Sequence, residues 1–193
     1  AAIREADSKA RLEDLYLPYK PRRRTKGQIA REAGIEPLAE LLLTDPTRDP
    51  VTEAAAFLNA EAGFTEAKAV LDGARHILME RFAEDAELVG RVRRLLREDG
   101  QLQARVVEGK EAEGAKFADY FAHSEPLAKV PSHRALAMFR GRNEGVLYLA
   151  IDLPGAAEMS AHPCEGLVAA HAGIGDKGRP ADAWLMEVAR WTW

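Results

Sequence analysis

The segment from Leu12 to Ala39, LEDLYLPYKPRRRTKGQIAREAGIEPLA, constrains this chain more than any other. Five of the seven positions from Lys20 to Lys26 are basic, with Tyr16, Tyr19, Pro18 and Pro21 beside them. The segment cannot be a helix interior. Each proline lacks the amide hydrogen that a helical ladder needs and pushes the preceding residue toward extended backbone. Lys20, Arg22, Arg23, Arg24 and Lys26 are therefore expected on a stiff connection between two helices. The chain as a whole carries a net charge of −4. A protein that binds nucleic acid over its entire surface is usually basic. Any polyanion contact here must then be local and strongly salt-dependent.

Helical periodicity dominates the first hundred residues. Ile3 to Leu17 has apolar positions at helical spacing. Thr25 suits the N-cap of a short helix from Lys26 to Ala33, closed by Gly34, and Glu36 to Leu43 gives the next, with Pro37 in its first turn. Asp49 and Pro50 form a cap and first-turn pair for a helix ending near Asn59, and Thr65 is expected to cap a helix reaching about Glu84. Asp85 to Asp99 has an apolar stripe of Leu88, Val92, Leu95 and Leu96, with acidic residues in its first turn and arginines toward its end.

The pattern then changes. Leu102, Ala104 and Val106 alternate with Gln101, Gln103 and Arg105, a strand period, and Val146 to Ile151 reads the same way. These two are expected to pair as a small antiparallel sheet. Between them lie an aromatic-rich turn of helix, Phe117 to Phe121, and a helix from Ser132 to Arg142. In the latter, Leu136 and Phe139 are expected to face the core, with Val130 packing near its start. Two more helices are expected near Cys164 to Ala172 and Ala181 to Thr192. The fold class is mainly α, a multi-helix scaffold with helix-turn-helix-like elements and a small antiparallel β element. The expected domains are a helical region, 1–100, the β element with an inserted helix-turn-helix-like pair, 101–152, and a helical linker, 153–193.

Four groups of residues invite a chemical reading. In the basic knot, planar guanidinium groups suit phosphate, and Tyr16 or Tyr19 can stack on an exposed base. The alternative is that the arginines pair with Glu13, Asp14, Glu32 or Glu36, or dock another domain. Around Phe117 to Arg142, a helix, turn and second helix carrying Arg134, Arg140 and Arg142 match what a helix-turn-helix offers to DNA. No Asn or Gln stands in the first turns of that second helix, so phosphate contact is expected over base reading, or else a packing helix with a solvated basic face. His162, Cys164, Glu165 and His171 are metal-ligand types, but their spacing matches no standard zinc pattern. Gly173, Gly175 and Gly178 spell a dinucleotide-like motif without the strand before it, and read as a turn between helices. No cofactor, metal or catalysis is expected, since Ser132 and His133 are adjacent and no other set resembles a hydrolytic centre.

Three stretches resemble one family. LEDLYLPYKPRRRTKGQIAREAGIEPLAELLL, GAKFADYFAHSEPLAKVPSHRALAMFRGRNEGVL and HPCEGLVAAHAGIGDKGRPADAWLMEVARWTW occur in the order seen in the helical N-terminal region of bacterial Tex, the transcription accessory proteins. Members of that family are several times longer. They continue into a domain related to ribonuclease H, a helix-hairpin-helix segment and a C-terminal S1 domain. The resemblance implies a piece of a cytoplasmic factor that binds RNA or DNA in transcription. It also implies partners in the remaining domains and the transcription machinery. The alternative role is a protein-docking module that binds no nucleic acid itself. The single cysteine, Cys164, fits a reducing compartment, and no apolar run is long enough for a membrane helix. The helix carrying Trp184, Val188 and Trp191 is expected to dock a following domain and so to expose apolar surface.

Overall fold

The computed structural model describes residues 8–16 and 24–193. Lys20, Arg22 and Arg23, with Pro18, Tyr19 and Pro21, lie outside the described residues, as do the first residues and the last residue of the helix expected over Ile3 to Leu17. The described part of that helix is α1, Lys9–Tyr16. By its contacts the chain divides into two compact units, one reaching Gly90 and taking in Ala161–Trp193, the other Arg91–Ser160.

The first unit is helical. It holds α2 (Lys26–Glu32), α3 (Glu36–Thr44), α4 (Pro50–Ala54) and α5 (Ala67–Ala83). α6 (Ala86–Asp99) carries the chain out of it, and α8 (Pro163–His171) and α9 (Asp182–Thr192) complete it. α5 is its axis and packs against α2, α3, α4 and α9. Val70, Ala74, Ile77 and Leu78 of α5 are fully buried, with Ala30, Leu38, Leu42 and Val188 from the surrounding helices. Small residues permit the closest approach. A Cβ built on Gly73 would lie 2.9 Å from Phe64 Cε1 and 3.1 Å from Ala30 Cβ.

The helix ends follow local chemistry. Thr25 caps α2, its hydroxyl accepting from the Gln28 amide at 3.1 Å. Asp49 caps α4 through the Thr52 amide at 2.8 Å, with Pro50 as first residue. Asp85 accepts from the Glu87 and Leu88 amides at the start of α6. Two expected boundaries shift. The helix opened by Pro50 ends at Ala54 and tightens into a 3-10 turn over Ala55–Phe57, well short of Asn59, which instead bridges to Phe64. α5 starts after Glu66, whose side chain makes no cap, and Thr65 stands outside it.

The second unit holds a three-stranded antiparallel sheet in the order β2-β1-β3. Its strands are β1 (Gln101–Val106), β2 (Ala122–Pro126) and β3 (Leu147–Asp152). The expected pairing is present, with Leu102 opposite Ile151 and Ala104 opposite Leu149. The centre strand's other neighbour, β2, was not expected. Its sequence, AHSEP, has no apolar alternation, and it pairs through Leu102 with Glu125 and Ala104 with His123. The strand separates the 3-10 helix Ala115–Tyr120 from α7 (Ser132–Asn143), so the expected helix, turn and helix over this stretch is helix, strand and helix.

α7 packs against β3. Met138 is fully buried beside Leu102 and Ala104. Gly141 lets the helix close on the strand, since a Cβ there would lie 2.6 Å from Leu147 Cδ1. This phase turns Leu136 and Phe139 outward, 69% and 42% exposed, which corrects the expectation that they face the core. The reason is the inward row, where Met138 and Gly141 fit a close helix-on-sheet contact that Leu136 and Phe139 would hold apart.

Candidate nucleic-acid interface

Of the basic knot, Arg24 and Lys26 are described, and both are exposed. Arg24 pairs with Glu32, one of the carboxylates that the sequence offers it, and this hydrogen bond is the main cause holding the Glu32 carboxyl below its usual range. Lys26 opens α2 and forms no ion pair among the described residues. Burial first, and then the charge of Lys26, hold the His76 imidazole below its usual pKa. Arg31, a further basic residue of α2, turns inward to Glu80 at 3.2 Å and Glu36 at 3.5 Å. Glu80 also accepts from the Gly27 amide at 2.9 Å, so this carboxylate fastens α2 to α5.

The three arginines of α7 have different surroundings. Arg134 donates to Glu125 at 2.9 Å, and Glu125 also meets His123 Nε2 at 3.0 Å. Glu125 is largely buried, so Arg134 serves this cluster beneath the helix more than the surface. Arg140 is exposed and pairs one turn on with Glu144 at 3.0 Å. Lys116 reaches the same carboxylate at 2.5 Å, and together Lys116 and Arg140 hold Glu144 below its usual range. Arg142 is exposed, forms no ion pair among the described residues, and lies 5.1 Å from the Phe139 ring centroid. The outer face of α7 is therefore mixed, with Leu136 and Phe139 among exposed guanidinium groups.

The remaining candidates have structural partners. His162 Nδ1 accepts from the Cys164 amide at 3.1 Å, and its ring stacks on Trp193 with centroids 4.8 Å apart. Glu165 pairs with Arg190 and His171 with Asp85, and no three or more metal-ligand types come together among the described residues. Gly173 and Gly178 take positive φ in the turn between α8 and α9, as the glycine spacing implies. Asp182, only 2% exposed, organises that turn. Its carboxylate accepts from the Lys177 and Arg179 amides at 2.7 and 2.9 Å and from Arg179 Nε at 2.9 Å. The Arg179 hydrogen bond is the largest cause lowering its pKa to about 2, against the opposing effect of desolvation. In α9, Trp184 and Val188 are buried, whereas Trp191 is 62% and Trp193 43% exposed. Arg75 lies 5.9 Å from the Trp191 ring centroid.

The polar side of β1 forms a further surface, outside the four groups that the sequence marks. Arg105 is exposed there, without an ion pair among the described residues, and sits opposite exposed Tyr148. The sequence signal was the alternation of Gln101, Gln103 and Arg105, which marks that side as solvent-facing.

These features describe a mainly helical protein with a small open-faced sheet, with exposed guanidinium groups in each of its two units. The comparisons with known proteins agree on its kin. The family described as Tex central region-like matches residues 45–193. Protein YhgF of Escherichia coli (strain K12) is 56% identical over 194 residues, covering 100% of this chain and 25% of that protein. Protein tex of Bordetella pertussis is 51% identical, covering 99% of this chain and 25% of its own length. The Transcriptional accessory protein Tex of Neisseria gonorrhoeae is 49% identical, covering 100% and 25%. The chain belongs to the Tex family and spans about a quarter of the length of these curated relatives.

Proposed function

We propose that this chain is the scaffold part of a cytoplasmic, Tex-like transcription accessory protein and contributes phosphate contacts to its nucleic-acid binding. It carries no reaction of its own. The observation that carries the reading is the outer face of α7, where exposed Arg142 lies 5.1 Å from the exposed Phe139 ring and Arg140, paired with Glu144, is exposed on the same helix. A guanidinium group donates paired hydrogen bonds to phosphate oxygens, and an exposed ring accepts an unstacked base. The name of the Neisseria gonorrhoeae relative, a transcriptional accessory protein, fits such a role. No helix among the described residues is long and apolar enough to cross a membrane.

The test is fluorescence anisotropy of labelled RNA and DNA with the 193-residue chain, with Arg140→Ala/Arg142→Ala, and with Arg22, Arg23 and Arg24 replaced together by alanine. Salt-sensitive binding that weakens in either folded variant supports the reading. Wild-type affinity in both variants would refute phosphate contact by these arginines. A second reading rests on Leu136, Phe139, Trp191 and Trp193, exposed apolar side chains that suit a docking module for other domains or the transcription machinery. Binding to such a partner that persists at high salt would favour it.

A further inference from the structure

The sheet of the second unit has two unlike faces. On the inner one, Leu102, Ala104, Leu147 and Leu149 lie against α7 and the 3-10 helix. On the outer one the register sets out three rows: Ala122, Arg105 and Tyr148, then Ser124, Gln103 and Ala150, then Pro126, Gln101 and Asp152. Tyr148 is 63% exposed. Its outer-face neighbours in the adjoining rows are Arg105, Gln103 and Ala150, none of them a bulky apolar residue that would bury the ring. An open cavity of about 430 Å³ runs along the β1–β2 pair, with Gln103, Arg105, Ala122 and Ser124 among its lining residues.

We infer that this outer face is a binding site for single-stranded nucleic acid. Tyr148 is its base-stacking platform, Arg105 its phosphate contact, and Gln103 its hydrogen-bonding group along the cavity, beside Ser124, whose hydroxyl donates to Gln101 at 2.8 Å and keeps its acceptor side open. The inference rests on the proposed nucleic-acid role and adds a site and a strand state to it. Three physical arguments support it. Opposed residues of an antiparallel pair have Cα atoms about 5 Å apart, so a base on Tyr148 brings its backbone within reach of Arg105. Aromatic rings accept any base, because every base has a π-face, provided the base is unstacked. The major groove admits a helix or a two-stranded ribbon, so the flat face of a three-stranded sheet suits a free strand better than a duplex.

Charge sets the polarity of the site. Arg105 stands at one end of β1, and Asp152 stands opposite Gln101 at the other end. With about 3.4 Å per residue, these ends are roughly 14 Å apart. The strand's phosphates therefore follow the Arg105 end. Gln103 offers both a donor and an acceptor, which allows contact with base edges of either kind.

The experiment compares Tyr148→Ala, Tyr148→Phe and Arg105→Ala with wild type in the full 193-residue chain. Probes are labelled oligo-dT, oligo-U and a duplex of the same length, with circular dichroism as the control for folding. Loss of a stacking ring is expected to weaken single-strand binding by about 5- to 150-fold. Tyr148→Phe is expected to keep it, and Arg105→Ala to weaken it and flatten its salt dependence. Comparison of oligo-dT with oligo-U reports whether the sugar hydroxyl contributes. Duplex binding should stay unchanged in Tyr148→Ala. Wild-type single-strand affinity in Tyr148→Ala, together with loss in the α7 or Arg22 to Arg24 variants, overturns the sheet site and leaves the proposed function standing. Absence of binding by the wild-type chain at low salt overturns both, and leaves the face as a surface for protein.

Discussion

Replacing Gly73 by alanine isolates the close packing on which the helical unit depends. Alanine is favoured over glycine inside a helix by about 0.8–1.0 kcal/mol, so propensity alone predicts stabilisation. The new Cβ would, however, stand 2.9 Å from Phe64 Cε1, 3.1 Å from Ala30 Cβ and 3.2 Å from Ile35 Cδ1. Ala30 and Ile35 are fully buried, and a methyl on Cβ cannot rotate away. Overpacking of this kind costs about 1–3 kcal/mol, which leaves a net loss of roughly 0–2 kcal/mol. Gly166 in α8 is the control, because nothing lies within 4 Å of its Cβ position. Gly166→Ala should stabilise by up to about 1 kcal/mol. The propensity gain is common to both variants, so their difference reports the clash alone, about 1–3 kcal/mol. Urea unfolding followed by tryptophan fluorescence suits the purpose, because Trp184, Trp191 and Trp193 all belong to this unit. In thermal melts the gap corresponds to roughly 2–12 °C. Equal stability of the two variants would refute the claim that Gly73 is required for contact between α5 and its neighbours.

Asp182→Asn should lower the melting temperature at neutral pH by loosening the turn before α9. The Asp182 pKa is depressed to about 2 in the folded protein. Its ionised form therefore contributes stability that is full above the unfolded value of about 4 and is lost as pH falls through the folded one. The difference between wild type and variant should accordingly vanish between about pH 4 and pH 2, read by melts across that range. Glu125→Ala leaves His123 and Arg134 without their shared partner, and should destabilise the second unit by about 1–3 kcal/mol, seen as earlier loss of strand signal in circular dichroism on urea titration. Thr25→Ala removes the cap of α2 and should cost about 1 kcal/mol in the same titration. A loss greater than that of Glu125→Ala would contradict the assignment of Thr25 to a simple cap.

The legible parts of the fold were those written in local chemistry. Thr25 and Asp49 stand before helices because their side chains accept amide hydrogens there, as their residue types imply, whereas Asp85, expected inside its helix's first turn, caps it, and Thr65, expected as a cap, is not one. The period-two run from Gln101 to Val106 likewise announced β1, and its partner Leu147–Asp152 followed from the same pattern. β2 was not legible, because its inward residues are His123 and Glu125, and their burial depends on Arg134 from another element. The phase of α7 was missed for a related reason. Bulk predicted Leu136 and Phe139 inside, whereas the helix must lie close to β3, and closeness selects Gly141. Of the candidate site, exposure of Arg140 and Arg142 agrees with the reading of a basic helix face. The inward turn of Arg134 depends on β2 and could not precede it. Lys20, Arg22 and Arg23 lie outside the described residues, so their role rests on solution measurement.

The central claim is that this chain touches phosphate through its local arginine clusters despite its net negative charge. The most direct measurement is the slope of log affinity against log salt for a single strand, with wild type compared to the variant in which Arg22, Arg23 and Arg24 are alanine. Each phosphate contact contributes about 0.7 to that slope, so the variant should lose roughly 2 units if all three arginines engage. A slope that is unchanged both in this variant and in Arg140→Ala/Arg142→Ala, each folded, or near zero in wild type, would contradict the claim and leave the chain a scaffold for protein contacts.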